Sequence, residues 1–135
     1  MFKASCIQIC SNNNIKENTQ KILHFIHQCI EKKSDFILTP ETCSIISSDK
    51  KELLKKTTTM EKDDLVLNTK KVCLKFKKWI LLGSIIAKSK RNKLVNRSVL
   101  INSKGKIEKY YDKIHMFDVN LSKKEKHLES KSYRK

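Results

Sequence analysis

The stretch Trp79-Ile80-Leu81-Leu82-Gly83-Ser84-Ile85-Ile86-Ala87 is apolar except at Gly83 and Ser84. It falls far short of the roughly 20 residues that span a bilayer. Its near-continuous apolar character fits a strand buried on both faces, as in sheets covered by helices. The rest of the chain must then supply those helices. Upstream, Asp63 or Asp64 can cap a helix that turns Leu67, Val72, Cys73 and Phe76 inward, and Lys50 to Thr59 fits a shorter one. Before them, Phe36-Ile37-Leu38-Thr39 reads as a buried strand that Pro40 stops, delivering Glu41 at its end. Asn14 can cap a further helix, with Glu17 placed as in a capping box and Ile15, Ile22, Leu23, Ile26 and Ile30 forming one stripe. His24 and His27 lie on that helix as surface or boundary residues. Phe2 to Ile9 alternates like a strand. Downstream, Leu94–Ile101 and Ile107–Tyr111 flank the turn Ser103-Lys104-Gly105-Lys106, where glycine can take a positive φ.

The order β-α-β-α-α-β-β-β predicts a layered α/β domain with a mixed sheet. Residues 1–135 read as one domain without repeats or an internal linker. Periodicity fades after Tyr111, and the polar tail 121–135 is expected to be poorly ordered. No apolar export signal opens the chain, which predicts a cytoplasmic location and no membrane partner. The formal charge of +16 invites a nucleic-acid reading. Against it, only Arg91, Arg97 and Arg134 among the 30 basic residues are arginine, the residue suited to bidentate phosphate and guanine contacts. The lysines are scattered through every element, and their excess beside Asn and Ile, with two Gly and one Pro, fits an AT-rich coding bias. A nucleic-acid partner is not expected. Cys6, Cys10, Cys29, Cys43 and Cys73 are odd in number and contain no CxxC pair, so neither a disulfide framework nor a zinc site is predicted.

Two local groups can carry chemistry. Glu41 follows a buried strand, at the sheet edge where α/β folds assemble sites, and desolvation there is expected to raise its pKa toward that of a general base. Lys113, within Tyr110-Tyr111-Asp112-Lys113-Ile114-His115, ends another strand, where an ammonium can stabilise charge developing on an oxygen. Alone, either residue reads equally as a solvated charge. Cys43 lies two residues from Glu41 but reads as a packing residue.

Together with KASCIQI (3–9), Leu38-Thr39-Pro40-Glu41, WILLGS (79–84), Asn96-Arg97-Ser98 and YDKIHMFDV (111–119), these groups stand in the order and spacing of the nitrilase superfamily. The chain resembles the N-terminal part of such a carbon–nitrogen hydrolase, nearest the omega-amidase and deaminated glutathione amidase branch. The resemblance implies part of an α-β-β-α sandwich whose C-terminal half is missing, with the sheet's inner face left as an apolar patch. It implies that Glu41 is the general base, Lys113 the oxyanion-stabilising lysine and Glu129 the second glutamate that positions lysine and substrate. The nucleophilic cysteine of the Glu-Lys-Cys triad follows that glutamate in the family and is absent here. The resemblance thus implies a truncated amidase acting on non-peptide C–N bonds, inactive alone and needing neither cofactor nor metal. Its partners would be a small amide substrate and either a separately encoded C-terminal half or a second copy in a homodimer. The alternatives are a degenerate gene fragment without function and, last, a basic nucleic-acid-binding module.

Overall fold

The computed structural model describes residues 1–89, 91, 93–116, 118–120 and 126–128. In chain order these form β1 (Ala4–Cys6), α1 (Ile15–Glu31), β2 (Phe36–Leu38), α2 (Lys50–Lys56), a single 3-10 turn (Met60–Lys62), α3 (Asp64–Phe76), β3 (Trp79–Lys88), β4 (Leu94–Ile101), β5 (Ile107–Asp112), β6 (Asp118–Asn120) and β7 (Lys126–Leu128). Strands β1 to β5 make one sheet in sequence order. The β1–β2 and β2–β3 pairs are parallel and the β3–β4 and β4–β5 pairs antiparallel, which is the predicted mixed sheet. Strands β6 and β7 pair antiparallel in a sheet of their own, within a stretch whose sequence carries no periodic signal.

Local chemistry starts the helices where expected. The Asn14 side chain accepts the Glu17 amide N–H at 3.2 Å. The capping box is not closed, because Glu17 turns to Asn12 Nδ2 and Lys21 instead of the cap's own N–H. Of the two candidate aspartates for α3, Asp63 is the cap, accepting the Val66 N–H at 3.1 Å. The inward face of α3 is Leu65, Val66, Thr69, Val72 and Cys73. Leu67 lies off that stripe and is exposed, contrary to the sequence expectation. The first strand is also shorter than Phe2–Ile9, since only Ala4–Cys6 finds a ladder partner and Phe2 projects into solvent.

Helices α1 and α3 cover one face of the sheet. Ile22 and Ile26 of α1 and Leu65, Val66, Val72 and Cys73 of α3 share a core with Ile37, Ile80, Leu82, Ile85, Ala87, Val95, Val99 and Ile101. On the opposite face, Leu53 of α2 joins Ile45, Ile86 and Leu94 in a smaller cluster. Elsewhere on that face Leu38, Leu81 and Leu100 are half-buried, while Trp79 and Tyr111 are exposed. The central strand is therefore covered on both faces only toward its C-terminal end.

The run that decided the fold contains a kink that apolar patterning could not show. Leu82 pairs with Val99 and Ile85 with Arg97, so Gly83 and Ser84 together oppose Ser98. This β-bulge shifts the alternation by one residue. Leu82 and Ile85, three apart, consequently both face the helices. Strand continuity alone would put them on opposite faces.

Candidate active site

The bulge is also what holds the loop bearing Glu41. Beyond β2 the chain turns at Pro40, and successive polar atoms of that turn are tied to β3. The Thr39 N–H donates to Leu81 O at 3.0 Å, and the Gly83 N–H donates to Thr39 Oγ1 at 3.0 Å. The Thr42 N–H donates to Ser84 Oγ at 2.7 Å, and the Cys43 N–H to Ser84 O at 2.9 Å. Ser98, opposite the bulge, donates its hydroxyl to Gly83 O at 2.6 Å. Thr42 has φ of 49°, the left-handed region that a β-branched residue rarely adopts. Such strain, of order 1–3 kcal/mol, persists where surrounding contacts over-determine it. Here the contacts to Ser84 on either side of Thr42 do so.

Lys113 comes from the opposite edge of the sheet, immediately after β5. Its N–H donates to Asn96 O at 2.8 Å, which extends the β4–β5 ladder by one residue. Its Nζ lies 2.9 Å from Glu41 Oε1, joining residues 72 apart in sequence. Asn96 Nδ2 donates to the same carboxylate oxygen at 2.9 Å. Asn96 is 2% exposed, whereas the Glu41 side chain is 58% exposed. A buried amide thus presents one oxygen of a solvent-facing carboxylate to the lysine.

This geometry reverses one expectation. Glu41 is not pushed up by desolvation, because the Lys113 ammonium bonded to it holds its carboxyl below the ordinary carboxylate value, with Asn96 acting in the same direction. Burial opposes them but loses, since more than half of the side chain remains in water. At neutral pH the site is an ionised carboxylate beside an ammonium: a proton acceptor and a cation sharing one oxygen.

The structure brings Glu41 and Lys113 together, and Glu129 lies outside the described residues. By sequence Asn96 reads only as part of a strand. The available signal was an amide interrupting the apolar strand LVNRSVLI, since a polar side chain at a buried strand position requires a partner. Cys43 is fully buried, its thiol donating to Ser84 O at 3.0 Å and accepting from Thr39 Oγ1 at 3.3 Å. Burial pushes it up to about 11, and Cys73 up to about 12, so both are packed thiols far from thiolate character at neutral pH. Among the described residues no group of three or more His, Cys, Asp or Glu is placed to hold a metal. No described helix is long and apolar enough to cross a membrane.

Comparison with known proteins agrees with this architecture. The chain is 26% identical over 117 residues to a deaminated glutathione amidase of Yersinia enterocolitica, covering 85% of this chain and 40% of that protein. It is 28% identical over 128 residues to a deaminated glutathione amidase of Dictyostelium discoideum, covering 87% of this chain and 42% of that protein. The crystal structure of the Caenorhabditis elegans NitFhit protein superposes with a TM-score of 0.83 at 24% identity, over 100% of this chain and 34% of that one. The fold is therefore that of part of a nitrilase domain, and the chain spans between 24% and 42% of the length of the curated relatives it matches. The carbon–nitrogen hydrolase family model matches residues 3–135, from the first strand through Glu41 and Lys113 to the last residue, and the chain belongs to that family.

Proposed function

We propose that this chain is the base- and lysine-bearing part of an amidase acting on non-peptide C–N bonds. It turns over only when a cysteine nucleophile from outside these 135 residues is brought to Glu41. The observation that carries this reading is the Glu41–Lys113 contact at 2.9 Å, held by the buried Asn96. In the proposed reaction Glu41 takes the thiol proton and the thiolate attacks the amide carbon. Lys113 stabilises the oxyanion, with Glu129 positioning lysine and substrate. Glu41 passes the thiol proton to the leaving nitrogen so that ammonia departs, and it then takes a proton from the water that cleaves the thioester and returns it to the thiolate. Cys43 does not substitute for the missing nucleophile, because its thiol is enclosed and bonded to Ser84 O. Two relatives are deaminated glutathione amidases, which supports a small amide carrying a carboxylate as the substrate class. The nucleophile's remaining scaffold is supplied by a second chain or by further polypeptide, and it covers the half-buried sheet face of Leu38, Leu81 and Leu100.

The test joins residues 1–135 to the segment that follows the matching region in the Yersinia enterocolitica relative. Ammonia release from a 2-oxo-acid amide is then compared with that of the chain alone. The chimera should hydrolyse the amide, and Glu41→Gln or Lys113→Met should abolish this. The chain alone should be inactive, since loss of a nucleophile costs on the order of a millionfold. Hydrolysis by the unextended chain would refute the proposal.

A further inference from the structure

Lys113 sits one residue beyond the end of β5, where a strand frays unless it is tethered. The tether lies on the other face of the sheet. Arg97 of β4 is the cross-strand partner of Asp112, the last residue of β5. Its Nε and Nη2 donate to Asp112 Oδ1 and Oδ2 at 2.6 and 2.8 Å, a two-pronged grip that fixes the carboxylate's orientation as well as its distance. The guanidinium also lies over the Tyr110 ring at 4.3 Å, and its Nη1 approaches Met60 Sδ at 4.0 Å. Tyr110 and Asp112 are two apart on β5, so Arg97 holds both residues on one strand face.

We propose that Arg97 and Asp112 act together as a positioning pair, fixing the end of β5 so that Lys113 stands against Glu41. The inference rests on the reading of Glu41 and Lys113 as the working pair. Successive residues of β4 serve opposite faces. Asn96 takes the Lys113 N–H on its carbonyl and gives its amide to Glu41, while Arg97 grips Asp112. The dipeptide Asn96-Arg97 therefore sets the strand end and the carboxylate in one frame. Arg97 shares its sheet face with the buried Val95, Val99 and Ile101, and its side chain is only 12% exposed. The guanidinium is drawn in from the solvent while Asp112 stays 37% exposed, so the pair ties the strand end to the sheet from the water side.

The decisive variant is Asp112→Asn, because positioning and direct electrostatics predict opposite signs. Removing a negative charge would by direct electrostatics lower the Glu41 pKa. Releasing Lys113 would raise it, in the direction of Lys113→Met. The titration is followed by carbon NMR of the Glu41 carboxyl in the 135-residue chain, with amide spectra reporting the fold. Asp112→Asn and Arg97→Lys should each move the Glu41 midpoint upward, and Asp112→Glu should retain the parent's midpoint. Asp112→Asn should add nothing once Lys113→Met is present. A folded Asp112→Asn variant whose Glu41 midpoint stays or falls would overturn the proposal. Loss of the fold in both Asp112→Asn and Arg97→Lys would overturn it too, since the pair would then belong to the core. An inactive chimera with the upward shift intact would remove the amidase reading and leave the positioning pair standing. An active chimera without the shift would do the reverse.

Discussion

Gly83→Ala tests whether the bulge holds the Glu41 turn. A Cβ at Gly83 would collide with Thr39 O and lie 2.6 Å from Pro40 O and 2.7 Å from Pro40 C, all backbone atoms. Comfortable contacts lie near 3.5–4.0 Å, so the two segments must part by about 1 Å. Backbone φ is not the obstacle, because Gly105 is the described glycine with positive φ. The displacement acts on a set of hydrogen bonds: Gly83 N–H to Thr39 Oγ1, Ser84 N–H to Pro40 O, and Thr42 and Cys43 N–H to Ser84. Overpacking ordinarily costs about 2 kcal/mol, and the two bonds made by Gly83 and Ser84 N–H, weakened by about half, add about 1–2 kcal/mol together. The lower entropy of an unfolded alanine chain returns about 0.4–1 kcal/mol. The net is destabilisation by about 3 kcal/mol, a fall in Tm of roughly 10 °C for a domain of this size. Circular-dichroism melts and urea titrations of the two proteins measure it. The Glu41 midpoint, followed by NMR, should rise as the turn withdraws from Lys113. A Tm within about 2 °C of the parent, together with an unmoved Glu41, would refute the claim that the close approach at Gly83 seats this turn.

Three further predictions follow from the same contacts. Lys113→Met should raise the Glu41 pKa, since the lysine is the largest influence lowering it. Glu41's folded value lies below its ordinary 4.5, so its contribution to stability is present above that pH and is lost as pH falls through the depressed folded value. Lys113→Met should flatten that part of an acid-unfolding curve, and an unchanged curve would sink the argument. Exposed Cys6 and Cys10 should react with a disulfide reagent at pH 8 in the native chain, whereas Cys43 and Cys73 should label only on unfolding. Mass spectrometry of tryptic peptides would show it, and native labelling of Cys43 would contradict its burial. Asp63→Ala should cost about 1–2 kcal/mol in urea unfolding by removing the N-cap of α3, whose Val66 N–H would then be orphaned.

What the sequence alone determined was local. Asn14 and Asp63 start helices because their short side chains reach the exposed N–H groups of the first turn. Pro40 ends β2, and Gly105 takes φ of 70° in the β4–β5 turn. The apolar stripe of α1 identified the buried Ile22 and Ile26. Glu41 and Lys113 stood out as a pair through resemblance to a family, since each alone reads as a solvated charge at a strand end.

The tertiary structure decided the rest, because the deciding distances cross the sheet. The Gly83–Ser84 bulge depends on how β3 registers against β4, and an unbroken apolar run carries no trace of register. Asn96 becomes part of the site only when that register sets it beneath Glu41. The low pKa of Glu41 likewise required knowing that Lys113, 72 residues later, ends within 2.9 Å of a carboxylate still largely in water. A short-range sequence signal encodes which residue caps a turn, but a cross-sheet contact exists only after every intervening strand has paired.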